Sequence, residues 1–297
     1  MLARLQKFIS ISLFLCAGAW AFFVAAAGHP AWAAIGAAAV LFGYALFLAA
    51  EFTLLYCVQD ADAAPRPSVR QLGRAWWGEV LSTPRVFLWR QPFRSRAEPD
   101  HLPATHAAGP GVVLVHGLVC NRGLWNPWMR ELRARDLPFV AVNLEPVFGS
   151  IDHYPRIIED AVARVEAATG QPVVLVGHSM GGLAIRAWLA RFDADARVRR
   201  VITIGSPHHG TWLARFGLTV NVRQMRPGAP WLADLARREP PARYTRFSCY
   251  FGHCDNMVFP AGSGTLPGAE NVHVPATAHV HMAFSRVVFD GVLRWLR

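Results

Sequence analysis

A serine sits between glycines in Val174-Leu175-Val176-Gly177-His178-Ser179-Met180-Gly181-Gly182, after an apolar run and ahead of the helix-forming stretch Leu183-Ala184-Ile185-Arg186-Ala187-Trp188. Gly-x-Ser-x-Gly between a strand and a helix is the sequence form of a sharp turn that holds a hydroxyl out in strained geometry. Gly177 and Gly181 remove side chains that would clash there, and the helix start offers N–H groups to negative charge. Serine attacks a carbonyl only when a base takes its proton and a third group orients that base. In a strand–turn–helix site of this kind the chain order is serine, acid, histidine. Asp255 follows the apolar run 248–252, and His279 precedes a helical stretch at 282–296, so both stand in that order. Asp234 is the rival acid, inside a helical pattern that suits a solvated charge. His281 is the rival base, and His273 reads as a strand residue.

The same chemistry needs two backbone N–H groups for the developing oxyanion. Met180, next after the serine, is one candidate donor. Leu118 is the other, in Val115-His116-Gly117-Leu118-Val119, where Gly117 lets the chain turn. His116 precedes the serine in the chain and is expected at most to position this loop. The acyl-enzyme chemistry calls for no cofactor, and no metal site is expected.

These residues need a rigid frame. From Gly111 onward, short apolar runs (112–115, 139–142, 173–176, 198–204 and 247–252) alternate with helical patterns at 124–135, 157–169, 182–192 and 282–296. Continuous apolar strands between amphipathic helices predict an α/β fold with a mostly parallel sheet covered on both faces. Residues 211–245 break the rhythm with prolines, Trp212 and Trp231, as a helical cap over a site would.

Residues 111–297 resemble the α/β-hydrolase superfamily, in particular its bacterial triacylglycerol lipase and esterase branch. The resemblance rests on VLVHGL at 113–118, LVGHSMGG at 175–182, TIGSPHHGT at 203–211 and DNMVFP at 255–260. It implies Ser179 as nucleophile and Asp255, in its Asp-x-x-Val-x-Pro setting, as the triad acid. The branch usually has glycine before its histidine; here Ala278 stands there, which leaves His279 and His281 both open. His208 and His209 are expected to pack the loop or line the substrate side. Some lipases of the branch hold a structural calcium ion, but no ligand set maps onto this sequence.

The chain has 297 residues, 53% of them hydrophobic. Its apolar excess lies at the N-terminus, where 8–27 and 31–50 carry no charge and are each long enough to cross a bilayer as a helix. Gly28-His29-Pro30 separates them. A membrane hairpin is expected over 1–59, a basic connector containing Trp and Pro over 60–108, and the catalytic domain over 109–297. A signal peptide also fits Arg4, Lys7 and Ala-Gly-Ala-Trp-Ala at 17–21 as a cleavage site, but the second run favours an anchor. Arg4 and Lys7 before the first run, and the arginines from Arg66 onward after the second, place both ends in the cytoplasm, on the inner face of a bacterial membrane. Residues 68–81 form a candidate amphipathic helix, with Trp76 and Trp77 either at the membrane interface or packed on the catalytic domain.

The net charge of +10 comes without a basic repeat or a nucleic-acid-binding motif, so a basic belt at an anionic membrane is the expected use. Five cysteines do not make a disulfide framework, although Cys249 and Cys254 are candidates for pairing. Hydrolysis of lipid-like acyl esters is the expected activity. Acyl transfer, thioester hydrolysis and a non-catalytic membrane binding protein are the alternatives.

Overall fold

Along the first strand after residue 109, Val113 and Val115 enter one core cluster and Val112 and Leu114 another. This is the alternation of a strand covered on both faces. The computed structural model describes residues 1–58, 63–103 and 109–296. Its six strands are β1 (Val112–Val115), β2 (Phe139–Ala141), β3 (Val173–His178), β4 (Val198–Ile204), β5 (Phe247–Phe251) and β6 (Glu270–His273). All neighbours pair in parallel, in the order β2-β1-β3-β4-β5-β6. The α/β class expected from the sequence is therefore the observed one. The strand β6 adds to the five expected runs and contains His273, the residue expected in a strand; it is short, its residues are exposed or half-buried, and its apolar signal is correspondingly weak.

Twelve α-helical segments are described. The N-terminal ones are α1 (Leu2–Ala26), α2 (Pro30–Phe42), α3 (Tyr44–Val58), α4 (Val69–Pro84) and α5 (Gln91–Arg94), with a π-helical turn at Arg85–Arg90 joining the last two. The sheet is flanked by α6 (Asn126–Arg133), α7 (Tyr154–Thr169), α8 (Met180–Phe192) and α12 (Arg286–Leu293); the short α9 (Val220–Gln224), α10 (Pro230–Arg237) and α11 (His279–Met282) lie in the connecting segments. The helical stretch expected over 282–296 is interrupted instead, because α11 ends before Ser285 starts α12. Cys249 and Cys254 are both free, so the candidate pairing is not made.

The N-terminal segment departs most from a simple hairpin. Helix α1 is long and apolar enough to cross a membrane, and Gly28 at φ 85° with Pro30 as the first residue of α2 turns the chain back. The second apolar run is not one straight rod: α2 and α3 meet at Gly43 with a bend of 50°. Beyond the bend, Glu51, Phe52 and Leu55 of α3 are buried. The single acidic residue at this point is thus turned toward Asn256. Ser68 starts α4 through a capping box: its Oγ accepts from the Gln71 N–H at 3.3 Å, while Gln71 Oε1 accepts from the Ser68 N–H at 2.8 Å. Trp76 packs inward and donates from Nε1 to the Ala45 carbonyl at 3.0 Å, whereas Trp77 is exposed. The expected boundaries at 59/60 and 108/109 fall at residues 59–62 and 104–108, outside the described residues.

Candidate active site

Ser179 is the hinge between β3 and α8, at φ 56° and ψ −130°. Such a backbone is costly for a residue with a side chain and persists only when its surroundings enforce it. The glycines are what let those surroundings close in. A Cβ on Gly181 would lie 2.5 Å from the Val115 carbonyl oxygen, and one on Gly177 would lie 2.7 Å from the Gly182 nitrogen. Ser179 donates its own N–H to the Ile204 carbonyl at 2.8 Å, tying the turn to the end of β4.

Asp255 follows the C-terminal end of β5 and is buried. Its Oδ1 accepts from the Met257 and Val258 N–H groups at 2.9 and 2.8 Å, which fixes the carboxylate plane. His279 opens α11, and its Nδ1 lies 3.0 Å from both Asp255 oxygens. Burial disfavours the imidazolium, but the Asp255 charge and hydrogen bonds, with smaller help from Glu79 and Glu51, outweigh it and raise the His279 pKa. With Nδ1 engaged, Nε2 is the ring nitrogen left for other chemistry. His279 and Ser179 line the same cavity of about 390 Å³. The structure therefore brings His279, not His281, to Asp255. His281 lines a separate cleft beside Arg85 and Arg90, and Asp234 is exposed on α10 and paired with Arg237.

Met180 is the first residue of α8, so its N–H has no intrahelical acceptor. Leu118 is on the loop after β1, and Leu118, Val119 and Gly117 all line the Ser179 cavity. His116 holds this loop. Its Nε2 accepts from the Leu144 N–H at 3.0 Å, so its proton sits on Nδ1, which donates to the Gly117 carbonyl at 2.9 Å. Burial lowers its pKa to about 4, so it stays neutral. His178 donates from Nε2 to the His279 carbonyl at 3.2 Å, and burial followed by the nearby His279 charge holds its pKa well below the histidine norm. His208 is buried with Nε2 at 2.9 Å from Thr203 Oγ1, and with His209 it borders a different cavity beside Arg186 and Glu239.

Several residues at the site were not singled out by sequence reasoning. Three come from the N-terminal helices. Gln6 of α1 donates from Nε2 to the Val119 carbonyl at 3.2 Å, bracing the loop that carries Leu118. Glu51 of α3 accepts from Asn256 Nδ2 at 2.7 Å, and Asn256 Oδ1 accepts from the His279 N–H at 3.2 Å. Glu79 of α4 accepts from the Val280 and His281 N–H groups at 3.0 and 2.9 Å, capping the turn that bears His279. Burial pushes the Glu79 carboxyl up to about 7 against the pull of those donors. One available signal was that Glu79 is the only acidic residue from 63 to 94, a stretch otherwise rich in arginine. The rest of the cavity is mostly apolar, with Leu48 and Phe87 on the N-terminal side and Leu213, Val222 and Met225 from the segment expected as a cap. Among the described residues, no group of three or more His, Cys, Asp or Glu is placed to hold a metal ion.

A family model, described as the alpha/beta hydrolase family, matches residues 112–295. The chain belongs to that family. Among curated relatives, a probable esterase, PIR7A, from Oryza sativa subsp. indica is 38% identical over 96 residues, covering 28% of this chain and 35% of its own length. Phosphatidylcholine-sterol acyltransferase from Homo sapiens is 31% identical over 137 residues, covering 45% of this chain and 29% of its own. The chain thus matches about a third of the length of these relatives. Among solved structures, the mature Bacillus licheniformis lipase BlEst2 is similar with a TM-score of 0.57 at 19% identity, over 67% of this chain and 96% of that one. Aspergillus fumigatus lipase B has a TM-score of 0.56 at 19% identity, over 66% of this chain and 55% of its own. At these identities the likeness is one of fold.

Proposed function

We propose that the protein is a membrane-anchored serine hydrolase that cleaves carboxylic esters with lipid-like acyl groups. The observation that carries this reading is His279 clamped through Nδ1 by Asp255 at 3.0 Å, in the cavity that Ser179 also lines. Ser179 Oγ attacks the ester carbonyl while its proton passes to His279 Nε2, and Asp255 stabilises the imidazolium. The Met180 and Leu118 N–H groups bind the oxyanion. The imidazolium returns its proton to the leaving alkoxide, leaving an acyl-enzyme. Water, deprotonated by His279, then releases the carboxylic acid and restores Ser179. Family membership, the esterase names among the curated relatives and the apolar cavity support this chemistry.

In this reading α1 and α2 form the anchor, while α3 returns to the catalytic body as part of the cavity wall. The basic flanks support a position for that body on the cytoplasmic face of a bacterial inner membrane. Acyl transfer to an alcohol is the second reading, favoured by the match to an acyltransferase. Product analysis with and without an added alcohol separates the two.

The test is labelling with a fluorophosphonate probe. The parent should be labelled and Ser179→Ala should not; an unlabelled parent refutes the nucleophile. Among p-nitrophenyl esters of increasing chain length, turnover of acetate with none of long acyl chains would refute the lipid-like substrate.

A further inference from the structure

The cavity at Ser179 leaves unused a concentration of positive charge on the π-helical turn. Arg85 and Arg90 border two adjoining clefts of about 260 and 410 Å³, neither of which shares a lining residue with that cavity. Arg94 of α5 and Arg130 of α6 line the larger cleft with them. Only Arg130 has a carboxylate partner among the described residues, Glu98 at 3.3 Å. Arg90 is half-buried on the Phe284 ring, 4.8 Å from its centroid; burial, followed by repulsion from Arg130 and Arg85, lowers its pKa. Like charges are thus gathered with little counter-charge. Two residues with unpartnered polar atoms also border the clefts. Asn126 lines the larger cleft with its buried Oδ1 unpartnered, and His281 lines the smaller one with its buried Nδ1 unpartnered.

We propose that these clefts bind the phosphate of an anionic phospholipid headgroup. Planar guanidiniums suit phosphate oxygens through paired hydrogen bonds. A free phosphate ion would satisfy the arginines equally, but the rim points to a lipid. Trp89 and Phe93 are 58% and 38% exposed with rings 5.8 Å apart, an aromatic pair of the kind found at headgroup depth. Lys7 Nζ sits 5.5 Å over the Phe93 ring, and Lys7 is the last charged residue before the apolar run of α1. The arginines therefore lie where a membrane-inserted α1 would meet the headgroups.

The full chain in an uncharged detergent is titrated with water-soluble di-O-hexyl ether analogues of phosphatidylglycerol and phosphatidylcholine, and with inorganic phosphate. The ether bonds exclude cleavage at Ser179, and soluble lipids make the result independent of anchoring. The phosphatidylglycerol analogue should bind at least about ten-fold tighter than the phosphatidylcholine analogue. Replacing two exposed arginines, as Arg85→Gln/Arg94→Gln, should weaken it about thirty-fold. Arg90→Gln should weaken it too, with unchanged turnover of a soluble p-nitrophenyl ester reporting an intact fold. Equal binding of the two lipids, or full binding by the double variant, overturns the proposal. Inorganic phosphate binding as tightly as the phosphatidylglycerol analogue overturns the lipid assignment.

Discussion

Replacing Glu79 by glutamine tests whether the N-terminal helices are part of the catalytic apparatus. In the parent both carboxylate oxygens accept backbone N–H groups, Val280 at 3.0 Å and His281 at 2.9 Å, in the turn that carries His279. Glutamine has the same shape but one acceptor only, so its NH₂ faces a second N–H and one buried donor loses its partner. An unsatisfied buried donor costs ~1–3 kcal/mol. If that strain is felt as misalignment of His279 in the transition state, kcat/KM falls roughly 5- to 150-fold. The charge matters separately. Glu79 is among the groups that raise the His279 pKa, so its neutralisation should move the acid limb of the pH–rate profile to lower pH. Glu79→Asp keeps the charge but is one methylene too short to reach both donors. It should lose rate while keeping the limb near its parental position. Stability has its own sign. The Glu79 pKa is raised from 4.5 to about 7, so its contribution is fully present below pH 4.5 and is lost as pH rises through 7. The parent should therefore lose stability as pH rises through that window, whereas Glu79→Gln, which has no group titrating there, should not. A Gln variant with parental kcat/KM at the plateau and an unmoved acid limb would refute the argument; thermal melts in the same detergent check that the variant is folded.

Two further perturbations probe the frame around the site. Gly205 has φ 53°, and a Cβ there would lie 2.7 Å from Asp255 Oδ2 and 3.1 Å from His279 Nδ1; Gly205→Ala should lower kcat at least about ten-fold and stability by roughly 1–3 kcal/mol, and a parental pH–rate profile at full activity would contradict the packing. The Arg186 and Glu239 side chains are 2% and 0% exposed and pair at 2.6 Å; Arg186→Met strands a buried carboxylate, at a cost of ~3–5 kcal/mol and a fall in Tm of roughly 10 °C, and Arg186→Met/Glu239→Leu should recover much of it. A double variant melting no higher than the single one would show that the lost charge partner is not the cause.

Local pattern made much of the α/β region legible. The runs 112–115, 139–142, 173–176, 198–204 and 247–252 became strands with ends shifted by at most two residues, because a strand buried on both faces must be apolar throughout. The turn at Ser179 was legible for the same reason: its glycines answer to atoms within the segment and to the strand beside it. What the sequence left open was settled by contacts between distant residues. His279 and His281 are equally placed in the chain, and only the path of α11 puts one against Asp255 and the other in the arginine-lined cleft. Glu51 read as an interruption in an apolar run, yet the bend at Gly43 turns it onto Asn256. Glu79 meets Val280 across 201 residues of chain. Hydrophobic periodicity records which face of an element is buried, not which element buries it. The turn at Ser179 and the α/β frame therefore belong to the sequence, whereas the bracing by Gln6, Glu51 and Glu79 exists only once the N-terminal helices have docked.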